Sequence, residues 1–222
     1  MSADHFDRKD LSHDPLQDAF YVAVDYVYRR RRGFILAGVG LLVAVAAVAG
    51  TYGYLRYTER SDSEALMTAD RALHDPAVAP EVRTRQGTEA YRNFVETHPR
   101  SSLAPAAWLT LGRLAWEQKQ WEPAAQAFQQ VLDHRKTSPL LRTEALLALG
   151  KLKEQQGKLA EAKALYEQIP DSFQDVKQLA LGRAALASGD AKQAREHFLQ
   201  AAASQGNTGL TQQARQALDY LP

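Results

Sequence analysis

The chain has 222 residues, with 27 Lys and Arg against 26 Asp and Glu and no cysteine. A balance this close to neutral leaves no broad basic face for a polyanion, which argues against nucleic acid as a partner. Without cysteine there is no disulfide framework, thiolate metal site, cysteine nucleophile or lipid-modified N-terminal cysteine. Composition changes sharply along the chain: 1–32 is polar and charged, 33–55 carries no charge, and 56–222 returns to a soluble mixture with 21 Lys and Arg against 20 Asp and Glu.

Residues 1–13 read as disordered, as unanchored termini commonly are. Asp14 and Pro15 then form an N-cap and first helical residue. Leu16, Phe20, Ala23, Val24 and Val27 fall on one helical face, with Asp18 and Asp25 off it. The predicted element is a short amphipathic helix ending at Arg29, Arg30, Arg31 and Arg32. Two roles stay open for it: lying on the inner leaflet against anionic lipid, or extending the next helix into the cytoplasm.

From Gly33 to Leu55 run 23 uncharged residues. As a helix they reach about 34 Å, enough for a hydrocarbon core of about 30 Å with modest tilt. The four arginines abut one side, while Arg56 and Arg60 on the other are mixed with Glu59, Asp62 and Glu64. The positive-inside rule places the N-terminus in the cytoplasm. Tyr26 and Tyr28 before the span and Tyr52, Tyr54 and Tyr57 at its far end are rings suited to the two headgroup layers. A cleaved signal peptide is the rival, with Ala47, Val48 and Ala49 as the cleavage site. Its charged region would be unusually long, and the apolar stretch runs past the cut. Gly40 with Ala44, and Ala46 with Gly50, are small pairs four apart through which two spans can pack.

Beyond residue 58 no stretch alternates in the manner of a strand, whereas Ala, Leu, Gln, Glu, Lys and Arg recur with helical period. The region reads as all-α, and a repeated frame emerges. Trp108, Leu111 and Gly112 precede Trp121, Ala124 and Phe128; Leu146, Leu149 and Gly150 precede Gly157, Ala162 and Tyr166; Leu181 and Gly182 precede Gly189, Ala194 and Phe198. In all three, 12 residues separate the Leu-Gly glycine from the alanine and four more lead to the aromatic ring. Small residues let paired antiparallel helices approach, and the ring fills the seam to the next hairpin. Gly157 and Gly189 fall where the turn between paired helices needs a left-handed backbone. Ala90, Phe94 and Pro99 form the second half of a degenerate earlier repeat, paired with a helix at 58–73; Leu210 to Leu221 forms a cap over the last seam.

These motifs resemble the tetratricopeptide family over about residues 105–204, with departures: Lys153 replaces an expected aromatic, and the glycine-to-glycine intervals are 38 and 32. The resemblance implies an α-solenoid of antiparallel hairpins. The whole layout is similar to a bacterial inner-membrane family that includes the ancillary subunit of the Sec translocon, mostly through the stretch from Ala124 to Phe198. The expected organisation is a cytoplasmic tail at 1–32, a transmembrane helix at 33–55, and a linker helix with a degenerate repeat at 56–104. Three repeats at 105–209 and a capping helix at 210–222 complete it. By resemblance the array is periplasmic and meets the translocon, secreted chains or periplasmic chaperones. Residues 91–108 also resemble repeats of periplasmic envelope coordinators, which keeps envelope assembly or cell division as an alternative, beside a self-associating structural membrane protein.

Nothing in the chain points to catalysis, a cofactor or a small-molecule substrate. The six histidines, at 5, 13, 74, 98, 134 and 197, lack metal-ligand spacing, and no phosphate loop, serine elbow or dinucleotide fingerprint occurs. Glu154, Glu161 and Glu167 lie near lysines in the manner of solvated surface pairs. The candidate site is a groove. In tetratricopeptide arrays the first helix of each hairpin lines the concave wall. Carried over from each Leu-Gly pair, this places Leu109, Leu147 and Leu179 in one row and Arg113, Lys151 and Arg183 in a second, with Trp116 nearby. Such rows suit an amphipathic or acidic segment of a protein partner, or are ordinary core and wet surface.

Overall fold

The structure, a computed structural model, describes residues 15–29, 31–204 and 208–221, and these contain helices and no strand. The chain divides into two compact units, 1–58 and 59–222. The first holds helix α1 (Pro15–Arg29) and the beginning of α2 (Arg31–His74). Phe20 and Val24 of α1 are exposed; Asp14, the expected cap, and residues 1–13 lie outside the described residues. Within α2 the described side chains from Gly33 to Tyr54 are all exposed. By length and composition, α2 alone among the described helices is apolar enough to cross a membrane, with a mean hydropathy of 2.1 over its most apolar window. No helix break marks residue 55 or 56, so the expected boundary there is a change of composition within one helix.

The second unit continues α2 to His74 and adds α3 (Pro80–Thr97), α4 (Ala104–Glu117), α5 (Trp121–Asp133), α6 (Pro139–Gln155), α7 (Leu159–Glu167), α8 (Gln174–Ala187), α9 (Ala191–Ala203) and α10 (Thr208–Asp219). Helices adjacent in sequence pack on one another from α3 to α10. Pro80 opens α3 and Pro139 opens α6, where a missing N–H costs nothing. Ser138 accepts from the Leu141 N–H and Asp190 from the Gln193 N–H, satisfying two of the open donors at their helix starts.

Each hairpin is organised by one contact. A Cβ placed on Gly112, Gly150 or Gly182 would fall within 3.0 Å of the ring of Phe128, Tyr166 or Phe198 respectively. The ring therefore rests on bare helix backbone of its own hairpin. The expectation is that the aromatic fills the seam to the following hairpin: Phe128 does share a core with Ala145 and Leu149 of α6, but its tightest fit lies inward, on Gly112. Ala124, Ala162 and Ala194, one turn earlier, are wholly buried. The half-repeat upstream uses the same device in reverse, with Leu73 of α2 lying against Gly87 of α3.

The three hairpin turns are alike. Gln120, Lys158 and Asp190 each donate to the carbonyl five residues back, and Lys119, Gly157 and Gly189 to the carbonyl three back, the pattern of a Schellman cap. That cap needs a positive φ, found at Gly157 (74°), Gly189 (82°) and also at Lys119 (59°). All three positions lie seven residues after the Leu-Gly glycine. In the α6–α7 hairpin, Lys153, where the family pattern has an aromatic, instead reaches Glu161 at 2.7 Å.

Alanine is a better helix former than glycine by about 1 kcal/mol, so an open site would gain from Gly150→Ala. Here the buried Tyr166 ring has nowhere to move, and overpacking costs about 1–3 kcal/mol. Gly150→Ala is expected to lower stability by about 1 kcal/mol or more in denaturant unfolding.

Candidate partner-binding groove

The glycine of each first helix faces the ring of its own hairpin, so the next residue is turned about 100° away from that contact. Those next residues are Arg113, Lys151 and Arg183, and all three are exposed. The ring contact thus phases three helices identically and presents one base from each. Arg113 and Lys151 have no acidic partner among the described residues; Arg183 donates to Gln213 Oε1 of α10 at 2.9 Å.

The leucine row is different. Leu109 and Leu179 are only 6% and 4% exposed and belong to the cores between hairpins, Leu109 with Ala145 and Leu149, Leu179 with Ala201 and Ala214. Leu147 is half-buried against the α7–α8 core. An apolar track along all three leucines therefore does not line the surface, because successive hairpins close over two of them. Trp116 is half-buried and meets Trp121 edge to face, ring centroids 5.7 Å apart; Trp121 is 40% exposed.

Polar pairs beneath the bases escaped the sequence reading. Tyr91 donates to Asp70 Oδ1 at 3.2 Å, and Tyr166 to Glu154 Oε1 at 3.0 Å. Burial, reinforced by the neighbouring carboxylate, holds both hydroxyls above the ordinary phenol value. Arg113 and Arg183 each act in the opposite direction on the nearer tyrosine. Glu154 is thus engaged rather than a free surface acid. The Tyr166 pair spans 12 residues and the Tyr91 pair 21, so no common interval announces them.

Beside Arg113 a cleft of about 290 Å³ is lined by His74, Arg83, Thr110 and Glu117. A larger one, about 600 Å³, lies between α3 and the α4–α5 turn; Arg85 and Arg92 there are offset by Glu81, Glu89 and Glu117, so it presents no single sign. Among the described residues no three His, Asp or Glu side chains gather as a metal site.

This arrangement of phased hairpins defines a helical-repeat scaffold. The chain belongs to the family described as the tetratricopeptide repeat-like domain, whose model it matches over residues 33–221. A search of curated proteins finds none that matches it. Domains of this family typically mediate protein–protein interaction as scaffolds without catalysis.

His197 Nδ1 lies 2.6 Å from Oε1 of the buried Gln178. Burial and then Lys163 push the ring below its ordinary 6.5, while Glu196 and Glu167 pull the other way. The fold thus favours the neutral ring. Its contribution is complete above pH 6.5 and is lost as pH falls from there through the lower folded value. Thermal unfolding from pH 7.5 downward is expected to show a decline that His197→Gln reduces.

Proposed function

We propose that this protein is a membrane-tethered scaffold whose repeat array stands on the periplasmic side of a bacterial inner membrane. There it captures an acidic, amphipathic segment of a partner protein, as an accessory to protein translocation and to periplasmic chaperones. The observation that carries the reading is the row of Arg113, Lys151 and Arg183, exposed at one register on three successive first helices. Bases spaced along one wall sum their potential over an extended partner. Tethering is supported by the uncharged 23-residue stretch from Gly33, by the arginines before it, and by a family match that begins at residue 33.

Charge reversal at Arg113, Lys151 and Arg183 together is expected to leave helical content nearly unchanged, since glutamate forms helix about as well as lysine or arginine. Capture of partners from gently solubilised membranes should fall steeply, and wild-type capture should weaken as salt rises. Reversing the exposed Lys163, Lys192 and Arg195 on the second helices should do little. Equal loss from both variants would mean general charge rather than a groove.

Protease added to spheroplasts should degrade the array from Arg56 onward and spare the N-terminal tail. Protection of the array would contradict the orientation.

A further inference from the structure

We infer that one edge of the array, formed by the α3–α4 and α5–α6 loops, is a docking surface for anionic phospholipid headgroups of the membrane that holds the tether. The inference rests on the tethered reading above and adds a second surface, distinct from the groove.

Asp62 lies near the start of the second unit. Its Oδ1 lies 2.7 Å from Nδ1 of His98, at the C-terminal end of α3. The His98 ring also stacks on buried Phe94, centroids 5.2 Å apart and planes 19° off parallel. His134, in the α5–α6 loop, then reaches the Pro99 carbonyl at 3.1 Å, while its other ring nitrogen accepts from the Lys136 N–H. Asp62 and the two loops are therefore joined through side chains at a single edge. The turns at Lys119, Gly157 and Gly189 end the same hairpins at the opposite edge, the length of one helix away, about 20–25 Å.

Chain length now limits where a bilayer can be. Seven residues separate Leu55, the end of the uncharged stretch, from Asp62. Even fully extended they reach only about 25 Å, and as helix about 10 Å. The loop edge joined to Asp62 is thereby tied to the tether by a shorter path than the opposite edge is.

That edge carries the matching charge. Arg100, Arg135 and Lys136 are exposed, and none has an acidic partner among the described residues. Arg100 and Arg135 each follow a member of the His134–Pro99 contact, which sets the two loops side by side. Asp133, the exposed last residue of α5, accepts from Gln129 at 2.9 Å, and with it counted the two loops still carry three bases against one acid. Farther along the array the α7–α8 loop carries no such excess: its exposed Asp171 is paired with Lys177, 3.4 Å away. The bases are concentrated in the loops linked to Asp62, where a phosphate surface is within reach. A protein partner explains the charge equally well but not its position.

The test uses the full chain in nanodiscs. With no native cysteine, Ser102→Cys on the loop edge and Gln156→Cys on the far edge each take one donor dye, and the acceptor is a labelled headgroup. In discs with about 30% anionic phospholipid, transfer from position 102 should exceed that in neutral discs and fall as salt rises; each base adds about fivefold to the docked-to-free ratio. Transfer from position 156 should change little. Joint reversal of Arg100, Arg135 and Lys136 to Glu should lower that ratio at least about 100-fold with helicity retained. Transfer at position 102 that ignores both lipid charge and salt in the unmutated chain would overturn the docking edge and leave the tether standing. A chain that does not enter the discs at all would overturn the tether and the docking edge together.

Discussion

A ring lying on a bare helix backbone is the contact from which the array follows. It fixes the distance and phase between the two helices of a hairpin, because only one rotation of the first helix presents glycine to the ring. The interval from glycine to ring is 16 residues in all three hairpins. From ring to the next glycine it is 22 residues once and 16 the other time. The difference arises in the second helix, since α5 has 13 residues and α7 only nine, and in the first helix that follows, where Gly150 is the twelfth residue of α6 and Gly182 the ninth of α8. Packing thus constrains each hairpin tightly and leaves the step between hairpins free to vary. The unequal spacing of the Leu-Gly glycines is the trace of that freedom.

What the sequence shows and what it hides divide along the same line. The Leu-Gly, alanine and aromatic frame is internal to a hairpin, so its constant intervals could be read directly. The turn position was half visible. Gly157 and Gly189 announce a left-handed residue, whereas Lys119 occupies the same conformation without the residue type that signals it. Seven residues after each glycine was the available clue. The leucine row failed for the opposite reason: whether Leu109 or Leu179 is open or covered depends on the step between hairpins, where loop lengths differ and no interval repeats. The bases were legible because their exposure follows from the residue before them. Tyr91–Asp70 and Tyr166–Glu154 join helices at unrelated intervals, and only the fold brings them together.

The proposed roles use both kinds of constraint. Arg113, Lys151 and Arg183 are phased by rigid hairpins, so a partner meets bases whose helix positions repeat even though the chain intervals do not. The loop edge with Arg100, Arg135 and Lys136 belongs to the freer steps between hairpins, where loops vary with little cost to the core. Its two loops are nevertheless held by His98 and His134, whose rings contact Asp62 and the Pro99 carbonyl. On this proposal the protein-facing wall lies on the first helices and the lipid-facing edge on the α3–α4 and α5–α6 loops. One can then be altered without disturbing the other.

The most direct measurement of the central packing claim is a double-mutant cycle on Gly150 and Tyr166. If an added Cβ is destabilising because it meets the ring, removing the ring must remove most of that penalty. Unfolding free energies of Gly150→Ala, Tyr166→Leu and the double variant should then be non-additive, the double variant being more stable than the sum of the singles predicts by about 1 kcal/mol or more. Additivity within about 0.3 kcal/mol would show that Gly150 and the ring do not act on each other, and the account of how the hairpins are phased would fail.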